Sequence, residues 1–323
     1  MSSPTIASLS EVSSFAHAVA SAERNARFPG STVVNLHRPR NLSRHHHNPL
    51  LAGVAMRTVA QQAVLVGLLI FAVESATAQT PPNEAKQGLS GSIGLGVASM
   101  PSYEGSPNRR TLAVPYFTLN YRTRDWGEVS FGQYGFVWQA VEVGDLRLGL
   151  VANPDAGRKD SKPSKLNPSP GDKRLAGMGA VRSSTEGGVL VGYGPFSLQA
   201  RKSLGDRGHR GTQVDASVAW PLVVTDKVAV SFGAGLTCAD KDYMQTYFGV
   251  TPAQAQASGF RAYTPNSGVR KFDLSVSAEY AFVKDWKLQG SAVLTRLTGD
   301  AADSPLVARK SNPAGYLGVA YVF

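Results

Sequence analysis

From residue 88 onward, apolar and polar side chains alternate in stretches of about 8–14 residues separated by turn-forming residues, the two-residue period of a strand with two unlike faces. Val214, Ala216, Val218, Trp220 and Leu222 form one face of a stretch whose other face holds Asp215, Ser217 and Ala219. Val228, Val230, Phe232, Ala234 and Leu236 form the next apolar face. Phe272, Leu274, Val276, Ala278, Tyr280 and Phe282 then oppose Lys271, Asp273, Ser275, Ser277 and Glu279. After them, Trp286, Leu288, Gly290, Ala292 and Leu294 oppose Lys287, Gln289 and Ser291. A soluble sandwich alternates as well, so the links between strands decide.

Short links at 122–126, 194–195, 225–226 and 283–285 intersperse with long polar ones at 100–110, 154–184, 205–211, 239–267 and 299–313. Short and long links on opposite sides are the habit of transmembrane barrels, with periplasmic turns and extracellular loops. Taking 127–142 as one strand gives eleven, an odd count. A split near 132–135 restores parity and loop sidedness. The pattern therefore predicts an all-β, closed antiparallel transmembrane barrel over 88–323 with about twelve strands, ten being the alternative count.

The last strand is the sharpest part of the pattern. Leu317, Val319, Tyr321 and Phe323 alternate with Gly318, Ala320 and Val322, and the chain stops on the aromatic. These four residues are expected to form the signal read by the outer-membrane insertion machinery. The strand is expected to end at the periplasmic face and to pair with the first strand near 89–99. Closure is obligatory, because an open sheet edge in hydrocarbon leaves backbone N–H and C=O groups without partners.

Upstream, Met56-Arg57 precedes an apolar run from Ala63 to Val73, followed by Ala76-Thr77-Ala78. This reads as a secretory signal over 56–78, cleaved after Ala78 by recognition of Ala76 and Ala78, with Gln79 as the mature N-terminus. The run is about half the length of a spanning helix. Residues 79–87 are expected to form a short periplasmic segment. Residues 1–55, with His45-His46-His47, show no sustained period and are read as an extension upstream of the true start.

Charge and chemistry narrow the picture further. Charged residues make up 17% of the chain, below the roughly 25% of soluble domains, and there are 33 glycines. Six of the 33 basic and three of the 23 acidic residues lie in 1–78, which leaves 27 against 20 in the rest, a net +7. A basic exported protein can meet anionic lipopolysaccharide, murein or nucleic acid, and the sign of the charge alone does not choose among them; with the barrel pattern, outer-membrane lipid and lipopolysaccharide are the expected partners, and nucleic acid is not. The single Cys238 excludes an internal disulfide and a cysteine zinc cluster. No catalytic residue, cofactor site or metal site is read. His209, the one histidine beyond residue 78, is read as an exposed loop residue, and Asp300 and Asp303 as solvated. Two charge groups carry hypotheses. Arg158, Lys159, Lys162, Lys165, Lys173 and Arg174 form a candidate polyanion-binding loop. Arg201, Asp215, Lys271, Asp273 and Glu279 are predicted to face the lumen as an ion-pair plug or a channel lining. Trp126, Trp220 and Trp286 are placed at strand ends as interfacial anchors, and Trp138 is expected mid-strand facing lipid.

Three strings resemble the MipA/OmpV family of outer-membrane proteins. They are Tyr103-Glu104-Gly105-Ser106 with Arg109-Arg110 and Pro115-Tyr116; Tyr247-Phe248-Gly249-Val250 with Ala255, Ser258-Gly259 and Tyr263; and 299–306 with the terminal Tyr321-Val322-Phe323. The resemblance spans about 88–323; the 154–184 loop departs most. It implies an outer-membrane localisation and a non-enzymatic scaffold that helps a lytic transglycosylase, MltA, meet a bifunctional penicillin-binding synthase in murein metabolism. Other members are described as adhesins or surface antigens. The rival readings are a small-solute channel and a surface adhesin or lipopolysaccharide-binding barrel acting through the long loops.

Overall fold

The computed structural model describes residues 87–133, 135–161 and 169–323. Residues 1–86, and with them the expected extension, signal and nearly all of the periplasmic segment, lie outside the described residues. The rest forms a closed antiparallel barrel of twelve strands in meander order. They are β1 (Gly88–Pro101), β2 (Arg109–Thr123), β3 (Gly127–Gly132), β4 (Gly135–Val143), β5 (Leu146–Asp155), β6 (Ser184–Tyr193), β7 (Phe196–Leu204), β8 (Thr212–Val224), β9 (Val228–Ala239), β10 (Gly268–Val283), β11 (Trp286–Leu297) and β12 (Ser311–Val322). The hairpin expected near 132–135 is present: Gly132 pairs with Gly135, whose φ of +116° suits only glycine. The count is twelve, not ten. The turns 124–126, 144–145, 194–195, 225–227 and 284–285 lie at one end of the barrel with both ends of the described chain, and the long loops, together with the tight β3–β4 hairpin, lie at the other.

Each strand sorts its side chains as the period demands. On β10, Phe272, Leu274, Val276, Tyr280 and Phe282 are exposed on the outer wall, while Lys271, Ser277 and Glu279 are buried inside. Among the described residues 38 large apolar side chains are exposed, most of them on this outer wall, an arrangement unstable in water and natural in hydrocarbon. Aromatic rings gather toward the turn end, among them Trp126, Tyr193, Phe196, Trp286, Tyr321 and Phe323. Trp138 also faces outward, where its indole donates to the Trp126 carbonyl at 2.8 Å.

Closure rests on β1 and β12, paired from Ser92↔Val322 to Ser99↔Gly315. Gly91 and Phe323 add the final rung, each N–H donating to the other's carbonyl at 2.9 Å. The Phe323 ring lies over Gly91, so that a Cβ on that residue would sit 2.8 Å from ring Cζ and 2.6 Å from the Thr118 carbonyl oxygen. Inside the same seam, the Tyr316 ring lies over Gly96 and Gly318. It packs with Ala98, Met100, Val114, Tyr116 and Ala320, so an apolar core fills this side of the lumen.

Gly91→Val is expected to push the terminal ring off the wall. The overpacking costs about 1–3 kcal/mol, read as a lower urea midpoint in vesicles and a smaller heat-modifiable fraction on electrophoresis.

Candidate functional site

Among the described residues the long links predicted as polar loops contain three α-helices, α1 (Lys241–Phe248), α2 (Pro252–Ser258) and α3 (Gly299–Ala302), and a single 3-10 turn at Lys173–Leu175. Asp240 caps α1 by accepting from Tyr243 N at 2.9 Å, and its other oxygen accepts from Thr212 N at 2.7 Å, tying the helix start to β8. Thr251 and Gln254 form a capping box at α2, with Pro252 in the first turn and Gly259 in the left-handed conformation at its end. Both signals stand in the sequence, within the 239–267 segment whose polarity predicts only a link.

These helices close the loop end. Tyr243, Met244 and Phe248 of α1 pack with Ala239, Leu297, Ala301 and Ala302. Beside them, Tyr103, Leu175, Met178, Val250 and Leu306 form a second core drawn from four different loops. Arg174 donates to Tyr103 Oη at 2.9 Å and to the Leu306 carbonyl at 2.7 Å. Asp172 accepts from Ser106 and Asn108 at 3.0 and 2.8 Å. Burial opposes ionisation of Asp172, yet the Arg174 backbone N–H and these two side chains hold its carboxyl below the usual range. The string Tyr103-Glu104-Gly105-Ser106 thus has a structural task, with the Gly105 carbonyl accepting from Ala308 N at 2.8 Å.

Beneath the cap lies a buried layer of charge. Arg201 bridges Glu186 at 2.6 Å and Asp215 at 2.5 Å. Arg270 pairs with Glu104 at 2.7 Å and donates to Gln213 Oε1, while Gln213 Nε2 donates to Glu186 at 2.7 Å. Lys271 stands 3.0 Å from Asp273 and 3.9 Å from Glu104. His209 is fully buried, its Nε2 3.0 Å from Glu186 Oε1, and its ring against Tyr243 and Tyr247 of α1. Tyr247 donates to Asp155, and Arg158 donates to the Tyr247 carbonyl, both at 2.5 Å. Four cations (Arg158, Arg201, Arg270, Lys271) therefore face five carboxylates (Glu104, Asp155, Glu186, Asp215, Asp273). Near-cancellation is what makes burial tolerable, since an unpaired charge in such a place is costly. Burial works against ionisation of Glu104, but Arg270 and Lys271 outweigh it and hold this carboxyl below its ordinary range. Burial drives the Tyr243 and Tyr247 hydroxyls well above theirs.

Below this layer a cavity of about 790 Å³ runs to the level of the turns, lined by residues from Tyr243 and Tyr247 at its roof to Arg122, Pro195 and Val322 at its foot. Its lower wall holds self-contained pairs: Arg122 with Glu128 and Glu142 at 2.5 and 2.9 Å, and Lys287 with Glu279 at 3.1 Å. The barrel is sealed by its loops and hollow toward its turns.

The five charges predicted to face the lumen do so, in separate clusters. Arg201 with Asp215, and Lys271 with Asp273, belong to the layer under the cap; Glu279 pairs lower down. Their partners Glu104, Glu186 and Arg270 went unread, because pairing depends on register and on a bulge between Val269 and Lys271. His209 corrects the expectation of an exposed histidine: its loop folds inward. The candidate polyanion loop is dispersed. Arg158 is buried, Arg174 is spent on loop carbonyls, Lys159 is half-buried, Lys173 is exposed, and Lys162 and Lys165 lie outside the described residues. Asp300 accepts from the Asn266 backbone and side chain at 2.7 and 3.0 Å, and Asp303 pairs with Lys310 at 2.9 Å. Leu317, Val319, Tyr321 and Phe323 line the outer wall. Among the described residues no group of three or more His, Cys, Asp or Glu side chains is arranged to hold a metal ion.

His209→Ala leaves the buried Glu186 short of a partner, an expected loss of about 1–3 kcal/mol in urea unfolding, with faster proteolysis of the 205–211 loop. Glu104 ties cap to wall with a lowered pKa. Its stabilisation is therefore full above the ordinary carboxylate range and is lost as pH falls through the lowered value. Hydrogen exchange of α1 amides is expected to quicken over that acid range, and Glu104→Gln to remove the pH step.

The model of the family described as MltA-interacting protein MipA matches residues 93–323. The MltA-interacting proteins of Escherichia coli K12 and of Shigella flexneri are each 30% identical over 155 residues, 47% of this chain and 62% of theirs. The chain thus spans under two thirds of the curated relatives it matches. Among solved structures, the COG4313 outer membrane channel of Pseudomonas putida F1 aligns at a TM-score of 0.36 and 9% identity, over 76% of this chain and 100% of that one. Outer-membrane OmpT of Vibrio cholerae aligns at 0.31 and 11%, over 73% and 97%. The family match covers most of the chain and the whole barrel beyond the first few residues of β1: this chain belongs to the MipA family of outer-membrane β-barrel proteins.

Proposed function

We propose that this barrel is a non-enzymatic scaffold of murein metabolism that meets a lytic transglycosylase, and through it a penicillin-binding synthase, at the turn end. The observation that carries the reading is membership of a family whose curated members are named for interaction with MltA. The architecture fits that role. The interior of the loop end is spent on its own two cores and a buried ion layer. The turn end keeps a hollow polar mouth and exposed rings such as Trp126. Rings of this type anchor transient interfaces as well as membranes. The short turns 124–126, 144–145, 194–195, 225–227 and 284–285 offer a small contact area, in keeping with a weak, exchangeable complex.

The same sealing bears on the channel reading. Planar-bilayer recordings of the purified barrel are expected to show no stable conductance steps, and removal of the 240–267 segment to produce them.

Photo-crosslinkers placed at Trp126 and Pro195 are expected to capture a transglycosylase or penicillin-binding protein from living cells, whereas one at Lys173 in the loops captures neither. Recovery of neither enzyme class from the turn positions, in repeated captures with folded barrel, would defeat the proposal.

A further inference from the structure

The outer wall is almost free of charge, and its exceptions are ordered. Among the described residues, every charged side chain on an outward strand position is basic: Arg109, Lys202 and Arg296. Arg109 opens β2, Arg296 is next to last on β11, and Lys202 is third from the end of β7, so all three stand at the loop end. A cation facing lipid costs about 2–4 kcal/mol at mid-bilayer and close to nothing at the interface. Depth alone would tolerate Asp or Glu there equally well, yet none occurs. Among the described residues the outward strand positions near the turn end carry no charge of either sign and have aromatic rings instead, the charges of that end standing in the turns themselves.

Two of these cations converge. Arg109 reaches from β2 over the outer surface of β1, where its guanidinium donates to the Pro313 carbonyl of β12 at 2.6 Å and to Ser99 O and Oγ at 3.3 and 3.1 Å. Those bonds hold the fork in place and leave other N–H donors facing outward, since guanidinium has five. Arg296 arrives at the same strand from the other side, paired with Ser311 and so a diagonal neighbour of Pro313, roughly 7–8 Å away. It has no ion-pair partner among the described residues. Arg309, exposed, stands in the loop two residues before β12 begins. Two arginine forks, one pre-oriented and one uncompensated, at the depth of lipid headgroups are suited to paired phosphates.

We propose that Arg109 and Arg296 form a binding site for a phosphorylated lipid headgroup of the leaflet at the loop end, seated against the outer face of β12. The site is separate from the lumen, from the cap and from the turn-end surface.

The test is native mass spectrometry of the full-length barrel in mild detergent, titrated with diphosphorylated lipid A, with dephosphorylated lipid A and with inorganic phosphate. Wild type is expected to bind the diphosphorylated lipid, to lose it as ionic strength rises, and to ignore millimolar inorganic phosphate. Arg109→Gln with Arg296→Gln is expected to weaken binding about tenfold or more, each surface cation being worth about 1 kcal/mol, with heat-modifiable mobility unchanged. Lys202→Gln, on the far side of the barrel, is expected to change it little. Should the double variant misfold, wild-type salt dependence and the phosphate-free lipid still decide. Equal binding of dephosphorylated lipid, binding indifferent to salt, full competition by inorganic phosphate, or a folded double variant that binds like wild type would each overturn the site.

Discussion

Everything in this molecule depends on the need to satisfy backbone hydrogen bonds where no water is available. A sheet meets it only by closing, so the seam between β1 and β12 is the joint on which the remaining strands rely. That seam is built with unusual economy. Gly91 leaves the space into which the Phe323 ring fits, and Gly96 and Gly318 leave the space into which Tyr316 fits. The last residue of the chain is therefore a packing element of the wall, held by two backbone bonds to Gly91.

Closure creates a second demand, because a lumen lined by alternate residues must do something with the polar side chains it receives. Here the answer differs around the circumference and along the axis. One side is filled by an apolar core around Tyr316 and Tyr116. The upper part is a nearly neutral lattice of ion pairs in which His209 and Gln213 bridge clusters that would otherwise be separate. The lower part stays hollow. The cap is continuous with that lattice through Glu104, Tyr247 and Arg158, so loops and wall stabilise each other.

How much of this was legible follows from how local each cause is. Whether a residue faces lipid or lumen depends on its own strand alone, and so alternation read from β8 to β11 matched the barrel strand by strand. The 132–135 hairpin was recoverable only through parity, since its turn signal is two glycines. The cap helices carried readable signals in Asp240 and in Thr251-Pro252-Ala253-Gln254, but their apolar faces, Tyr243 with Met244 and Phe248, have no partner until β11 and α3 arrive from 50 residues away. The burial of His209 is hidden for the same reason: burial of a loop residue depends on which other loops fold over it. Pairing partners such as Glu186 for Arg201 require register, which a single strand does not contain.

The central claim is a barrel sealed at its loops and accessible from its turns. It is tested most directly by Ser217→Cys on the lumen wall, in a chain whose Cys238 is replaced by Ser, with a membrane-impermeant thiol reagent applied from either side of the outer membrane. Modification is expected when the reagent reaches the turn end, and protection when it is confined to the cell exterior. Equal modification from both sides would contradict that claim.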